Sequence, residues 1–261
     1  MKRTYVKLLT VAGLTGCFLF TSCRSAQETT ARYEISKVEG NMITIDSTWD
    51  ANPDKKATTV LKPYKDKVDA MMYEVIGTSE MKMDKGTPES LLSNLVASVL
   101  QEAAAQVLGK PADMGLVNMG GLRNILPKGD ITVGAVFEIL PFENSLCVLT
   151  MKGTDMKRLF KAIASLHGEG VSGIRLEINK KGELLNATIG GKPVVDDQLY
   201  TVATIDYLAD GNGRMDAFLQ AEKRVCPEDA TLRGLFLDYV RKQTAEGKVI
   251  TSKLDGRITI K

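Results

Sequence analysis

One histidine, His167, stands in 261 residues. That scarcity excludes a great deal. A phosphoesterase centre built on two metals takes several imidazole and carboxylate ligands, and a zinc site of two thiolates and two imidazoles needs a second histidine. A Ser-His-Asp relay would have to rest on His167, which precedes Gly168-Glu169-Gly170 in a loop pattern. No Gly-x-Ser-x-Gly turn accompanies it, and no Walker-type phosphate loop is present. Aromatic residues are only 6% of the chain. Charge of one sign is lacking too: the formal net charge is +2, which offers no electrostatic case for DNA or RNA. Cysteines number four.

What is present is an ordinary globular composition, 44% hydrophobic and 25% charged, with an unusual start. Lys2, Arg3 and Lys7 precede an apolar run from Leu8 to Phe20, too short for a comfortable membrane span and shaped like a secretory signal. Small residues before Cys23 resemble a bacterial lipobox. Leu14-Thr15-Gly16-Cys17 fits the same pattern, but Cys23 leaves the longer apolar run and is the preferred lipidation site; a plain cleaved signal is the alternative. The sequence thus predicts a signal at 1–22, a polar tether at 23–31 and an exported lipoprotein, periplasmic or held at the cell-envelope membrane by its lipid anchor. Loss of residues 1–22 would remove three cations and no anion from the charge of +2, leaving −1. Cys147, in an apolar strand-like run, and Cys226 would then be the remaining thiols; a disulfide between them suits an oxidising compartment, and sequence leaves it open.

Along 32–261 the patterning predicts one mixed α+β domain, a mixed β-sheet with packed helices. Alternation in Tyr33–Val38 and Met42–Asp46 around Gly40-Asn41 predicts a hairpin. Helical spacing runs from Thr58 to about Ile76 with Pro63 near its start, and again from Thr87-Pro88 to Gly109 with Thr87 as N-cap. Ile131–Ile139 reads as a short helix, 155–165 and 230–243 as further helices, and 206–215 as a loop. Strands are expected at 114–117, 146–151, 173–178, 184–189, 192–195, 199–205 and 257–260.

Candidate chemistry concentrates between Asn118 and Asn144. Asn118-x-Gly120-Gly121-x-Arg123 pairs a tight glycine turn with an arginine fork suited to phosphate or ribose oxygens. Pro141-Phe142-x-Asn144 adds an aromatic face and an amide. A nucleotide is the ligand class this set suggests. The bland readings are that Phe142 is core, that Asn118 and Asn144 satisfy loop backbone, that Arg123 is a surface ion-pair partner and that Tyr207 packs under its own loop.

Four blocks in order carry a family resemblance: Glu89-Ser90 with Asn94-Leu95-Val96-Ala97; Asn118-x-Gly-Gly-x-Arg123; Gly129-x-Ile131-Thr132 continuing to Pro141-Phe-x-Asn144; and Tyr200-x-Val202-Ala203-Thr204 followed by Tyr207-Leu208-Ala209 and Gly211. Together, and most strongly over 63–218, they resemble the C-terminal domain of the 5′-nucleotidases, the family that includes ecto-5′-nucleotidase and periplasmic UDP-sugar hydrolases. The resemblance implies a substrate-binding domain without the N-terminal two-metal phosphoesterase domain. It implies that Phe142 and Tyr207 sandwich a base, that Asn144 meets the base edge, that Arg123 meets ribose or phosphate, and that Asn118, Gly120 and Gly121 line the pocket. Where the family carries a ribose-binding aspartate this chain has Gly213, with Asp210 or Asn212 as substitutes; where the family carries an arginine before the Glu89 block, Lys82 or Lys85 is near. No catalytic or metal-binding residue is implied, and no cofactor. Divalent metals would belong to a separately encoded metallophosphoesterase partner acting in nucleotide catabolism. Alternatives are a stand-alone nucleoside-binding lipoprotein for scavenging or sensing, and an interaction protein that has lost its pocket.

Overall fold

A computed structural model describes residues 34–261; the signal, tether and Cys23 of the sequence reading lie outside the described residues. The chain divides into two units, 1–53 and 54–261. In the first, residues 34–46 hold no strand, so the hairpin expected there is not formed. Its alternating apolar residues, Ile35, Val38, Met42, Ile43 and Ile45, are all exposed. A two-stranded ribbon without a third strand or a helix to cover it has too little burial to persist in water.

The second unit is the α+β domain. It begins with α1 (Lys55–Met72), capped by Asp54, whose carboxylate accepts from Ala57 N at 2.8 Å. The helix thus starts earlier than its apolar spacing suggests, and Pro63 falls inside it. It also ends earlier: Val75–Ser79 is strand β1, paired antiparallel with β3 (Gly129–Thr132). The residues expected to form one helix over 131–139 instead split at Thr132, whose hydroxyl accepts from Ala135 N and caps α4 (Val133–Ile139).

The centre of the domain is α2 (Leu91–Ala103), followed by the single turn α3 (Ala105–Leu108). Its start is not Thr87. Ser90 is the N-cap and exchanges hydrogen bonds with Ser93 in a reciprocal box, while the Thr87–Pro88 bond is cis and lies before the helix. A reciprocal cap satisfies two orphan N–H groups where a threonine three residues earlier would satisfy none of them. Leu92, Val96 and Leu100 recur along the buried face and are fully covered; burial of each such side chain contributes about 1.5–3 kcal/mol.

That face lies on a five-stranded sheet ordered β10-β4-β9-β2-β5. Its strands are β2 (Met114–Val117), β4 (Leu146–Lys152), β5 (Gly170–Ser172), β9 (Leu199–Ile205) and β10 (Lys223–Val225). Every residue of β2 is buried. Gly115 is required there: a Cβ would stand 2.3 Å from the Ala97 carbonyl oxygen and 2.5 Å from Ser172 Oγ, so any side chain would lift α2 off the sheet. Helix α5 (Gly153–Ser165) packs beside a second sheet ordered β11-β6-β7-β8, formed by β6 (Ile174–Ile178), β7 (Leu184–Ile189), β8 (Lys192–Pro193) and β11 (Ile258–Ile260). Asp206–Ala209 is a short helix, α6, rather than loop, followed by 3-10 turns at Asn212–Arg214 and Asp216–Gln220. The terminal helix α7 runs Leu232–Ala245 under a Thr231 cap. Cys147 on β4 is fully buried and disulfide-bonded to Cys226, just past β10, which ties the edge strand to the sheet.

Candidate functional site

The sheet topology sends three connections to one end of the sheet. Strand β9 is parallel to β2 and antiparallel to β4. The carboxyl ends of β2 and β9 therefore meet the amino end of β4, and this juxtaposes Asn118, Tyr207 and Asn144, residues far apart in sequence. Strand β5 joins antiparallel on the other side of β2, with Gly170 opposite Val117, and brings Glu169 to the same end.

A cavity of about 340 Å³ opens there, lined by Asn118, Gly120, Gly121, Phe142, Asn144 and Tyr207. Phe142 is 50% and Tyr207 44% exposed. Two half-exposed aromatics on one cavity are unusual in a chain so poor in them, and large apolar side chains left open together mark a contact surface more often than a core. Phe142 is accordingly not core.

The polar wall is built from loops. Met119–Gly121 forms a 3-10 turn in which Gly121 N donates to the Asn118 carbonyl at 3.0 Å. A Cβ on Gly121 would lie 3.0 Å from Asn118 Oδ1, so the glycine is what admits this side chain. Asn118 Oδ1 is buried and accepts no hydrogen bond among the described residues. On the opposite wall Asn144 Nδ2 donates to Asp206 Oδ1 at 3.0 Å, and the same oxygen accepts from Tyr207 N at 2.8 Å. Asp206 N closes the link by donating to the Ser145 carbonyl at 2.9 Å. A carboxylate only accepts, so Asp206 fixes the orientation of the Asn144 amide and leaves its Oδ1 as the acceptor not committed to that pair.

Beneath the first wall, Met119 N donates to the carboxylate of Glu169. Glu169 is only 9% exposed. Burial pushes its carboxyl up to about 7, against the opposing pull of the Met119 hydrogen bond. Beneath the second wall, Arg233 of α7 reaches the carbonyls of Leu140 and Pro141.

Other predicted residues stand outside the cavity lining. Arg123 is exposed, and its Nη1 donates to the carbonyl of Gly120 at 3.3 Å. Lys85 Nζ donates to the Leu122 carbonyl, and Lys82 is exposed. Asp210 pairs with Arg224 at 2.6 Å, and Asn212 is exposed in its 3-10 turn. Gly213 sits at φ +66, where a Cβ would press to 3.1 Å from Leu208 Cδ2. His167 is exposed, with its Nε2 near the Lys180 carbonyl, and takes no part in the cavity. Glu89 and Asn94 are absent from the lining as well. Glu89 accepts from Gly256 N and Arg257 N, each at 2.9 Å, and Asn94 Nδ2 donates to the Lys253 carbonyl. A larger groove of about 680 Å³ runs along Gln101, Asp113, Lys192 and Tyr200, where one oxygen of the Asp113 carboxylate accepts from Thr201 and the aromatic in the lining, Tyr200, is buried.

Asp206, Glu169 and Arg233 escaped the sequence reading. Asp206 had a usable signal, an acidic residue at a strand-to-helix junction beside Tyr207. Arg233 had a weaker one, a cation in the first turn of a helix where the dipole disfavours it. Glu169 had none.

The family description "5′-nucleotidase, C-terminal domain" matches residues 75–220. Among curated proteins, Endonuclease YhcR of Bacillus subtilis is 28% identical over 188 residues, covering 69% of this chain and 15% of that protein. The trifunctional nucleotide phosphoesterase protein YfkN of the same organism is 27% identical over 240 residues, covering 84% and 16%. Among solved structures, the 5′-nucleotidase precursor of Thermus thermophilus superposes with a TM-score of 0.67 at 27% identity, over 81% of this chain and 44% of that one. The chain spans less than half the length of each of these.

Proposed function

The chain belongs to the 5′-nucleotidase C-terminal domain family, and from that premise we propose that it binds a nucleoside or nucleotide in the cavity between Asn118 and Tyr207 without transforming it. The observation that carries this reading is the shared exposure of Phe142 and Tyr207 on one cavity. Stacking a base on such faces contributes about 1–3 kcal/mol each. The volume suits a base and sugar, being at the small end of ligand pockets. Asn144 Oδ1 is the acceptor for a donor group of that ligand, and Asn118 lines the facing wall. Gly120 and Gly121 let it approach the backbone, and Arg123, beside Gly120, is placed to follow a ribose or phosphate leaving the cavity. Lys82, Lys85, Asp210 and Asn212 take no direct contact in this reading.

Hydrolysis belongs to a partner. One histidine in the chain does not furnish a two-metal centre, so in nucleotide catabolism this domain would present substrate to a separate metallophosphoesterase. The Cys147–Cys226 disulfide supports an extracytoplasmic setting, in keeping with an exported lipoprotein. Calorimetry with AMP, adenosine, uridine and orthophosphate tests the reading. Binding of nucleosides and AMP, and none of orthophosphate, is expected. Absence of any nucleoside binding refutes it, and phosphate release from AMP by the purified chain with divalent metal refutes the assignment of hydrolysis to a partner.

A further inference from the structure

Arg233 lies in the first turn of α7, 92 residues from Pro141, yet is only 8% exposed. A cation at a helix amino terminus opposes the helix dipole, and a buried one without partners is costly. Something must offset both. Its Nη1 donates to the carbonyls of Leu140 and Pro141, each at 3.1 Å. Its Nη2 pairs with the Glu143 carboxylate, and its guanidinium lies 4.1 Å from the centre of the Phe137 ring. Leu140, Pro141 and Glu143 flank Phe142, and Phe137 lies on α4, which leads into them. The segment has few means of its own: Pro141 has no N–H to donate, and Leu140 N is spent on the Val136 carbonyl. Two successive carbonyls aimed at one guanidinium define a bend, and that bend puts the Phe142 ring outward. The backbone braces the same point, since Leu232 N donates to the Asn144 carbonyl at 2.8 Å.

We propose that Arg233 is a positioning residue for the candidate pocket: through its planar fork it sets the 140–144 turn so that Phe142 and Asn144 face the cavity before ligand arrives. The inference rests on the reading of that cavity as a nucleoside site. A lysine would keep the charge and lose the fork that meets two carbonyls and a carboxylate together. A pre-set turn removes an ordering cost from binding.

The test uses Arg233→Lys in the full chain and in a Phe142→Ala background, with two readouts. Hydrogen–deuterium exchange without ligand should rise in 140–146, and at Leu232, while the central sheet stays protected. Calorimetry with AMP should show affinity weakened about tenfold, and the effect should shrink to within about twofold once Phe142 is alanine, because only Asn144 is then left to position. Unchanged exchange in 140–146 overturns the proposal whatever AMP does, and so does an equal loss of AMP affinity in both backgrounds. If exchange rises but the wild type binds neither AMP nor adenosine, the nucleoside reading falls while the holding of the turn stands. Should Arg233→Lys fail to fold, Glu143→Gln carries the test from an exposed side chain: faster exchange in 140–146 with AMP binding weakened about two- to threefold supports the proposal, and no change in either overturns it.

Discussion

Phe142→Ala separates a binding aromatic from a packing one. The ring is 50% exposed, whereas Phe236 is fully buried. Truncating a buried phenylalanine costs about 3–5 kcal/mol through lost transfer energy and the cavity left behind. Half of that burial is missing at Phe142, and the ring fills no enclosed space, so we expect a stability loss below about 1 kcal/mol by denaturant unfolding. The loss on binding should be larger, about 2 kcal/mol for one stacked base, or roughly 30-fold in Kd. In a thermal or denaturant assay with AMP at about 100 times the wild-type Kd, ligand stabilises the wild type by about 2.7 kcal/mol. The same concentration is then only about three times the variant's Kd, leaving about 0.9 kcal/mol. Two results refute the reasoning. A stability loss near that of Phe236→Ala would make Phe142 a packing residue, and undiminished stabilisation by AMP would place the ligand elsewhere.

Tyr207→Phe should bind AMP within about twofold of wild type, and Tyr207→Ala should lose about 10-fold, because the ring face and not the hydroxyl is what the cavity uses; equal loss in both, by calorimetry, contradicts this. Glu169 makes stability fall with pH. Its folded pKa of about 7 lies above the ordinary value of 4.5, so the folded state holds the proton longer than the unfolded one. Its stabilising contribution is complete below pH 4.5 and is lost as pH rises through about 7. Relative to Glu169→Gln, the wild type should lose on the order of 3 kcal/mol between pH 4.5 and 8; a difference that does not vary with pH in denaturant titrations contradicts the burial argument. Cys226→Ser should lower stability by about 2–4 kcal/mol, since the bond closes a separation of 79 residues, and a melt unaffected by reductant would show that β10 is held without it.

Strands β2, β7 and β9 were legible to the residue: β2 and β9 are largely apolar runs that the fold buries, and β7 is marked off by the turn residues on either side of it. The start of α2 was not, because Thr87-Pro88 and Ser90 both offer a cap and only the reciprocal bond with Ser93 decides between them. The hairpin expected in 33–46 shows the opposite failure: alternation was present, but Ile35, Val38, Met42, Ile43 and Ile45 are exposed and lack the burial that alternation assumes. At the site, the lining residues lie within or beside the motifs that the sequence displays, while their supports act across 50, 62 and 93 positions as Glu169–Met119, Asp206–Asn144 and Arg233–Leu140. Separations of that size carry no local pattern.

The same distinction bears on what a motif means. Glu89 and Asn94 belong to a block as recognisable as the Asn118–Arg123 turn, yet their hydrogen bonds run to the 253–257 segment, and Arg257 returns the link through Nη1 to the carbonyls of Asn94 and Val171. This clasp holds the segment leading into β11 against α2 and β5. Glu89, Asn94 and Arg257 are buried or half-buried, and both Glu89 oxygens and the Asn94 amide nitrogen are committed within the clasp. Asn118, Phe142, Asn144 and Tyr207 differ in the property that matters for binding: each keeps a face or an acceptor unspent, while a buried charge or a carboxylate behind it holds the loop in place. Residues of the first kind hold this fold together; residues of the second kind are where substitution should change affinity before it changes stability.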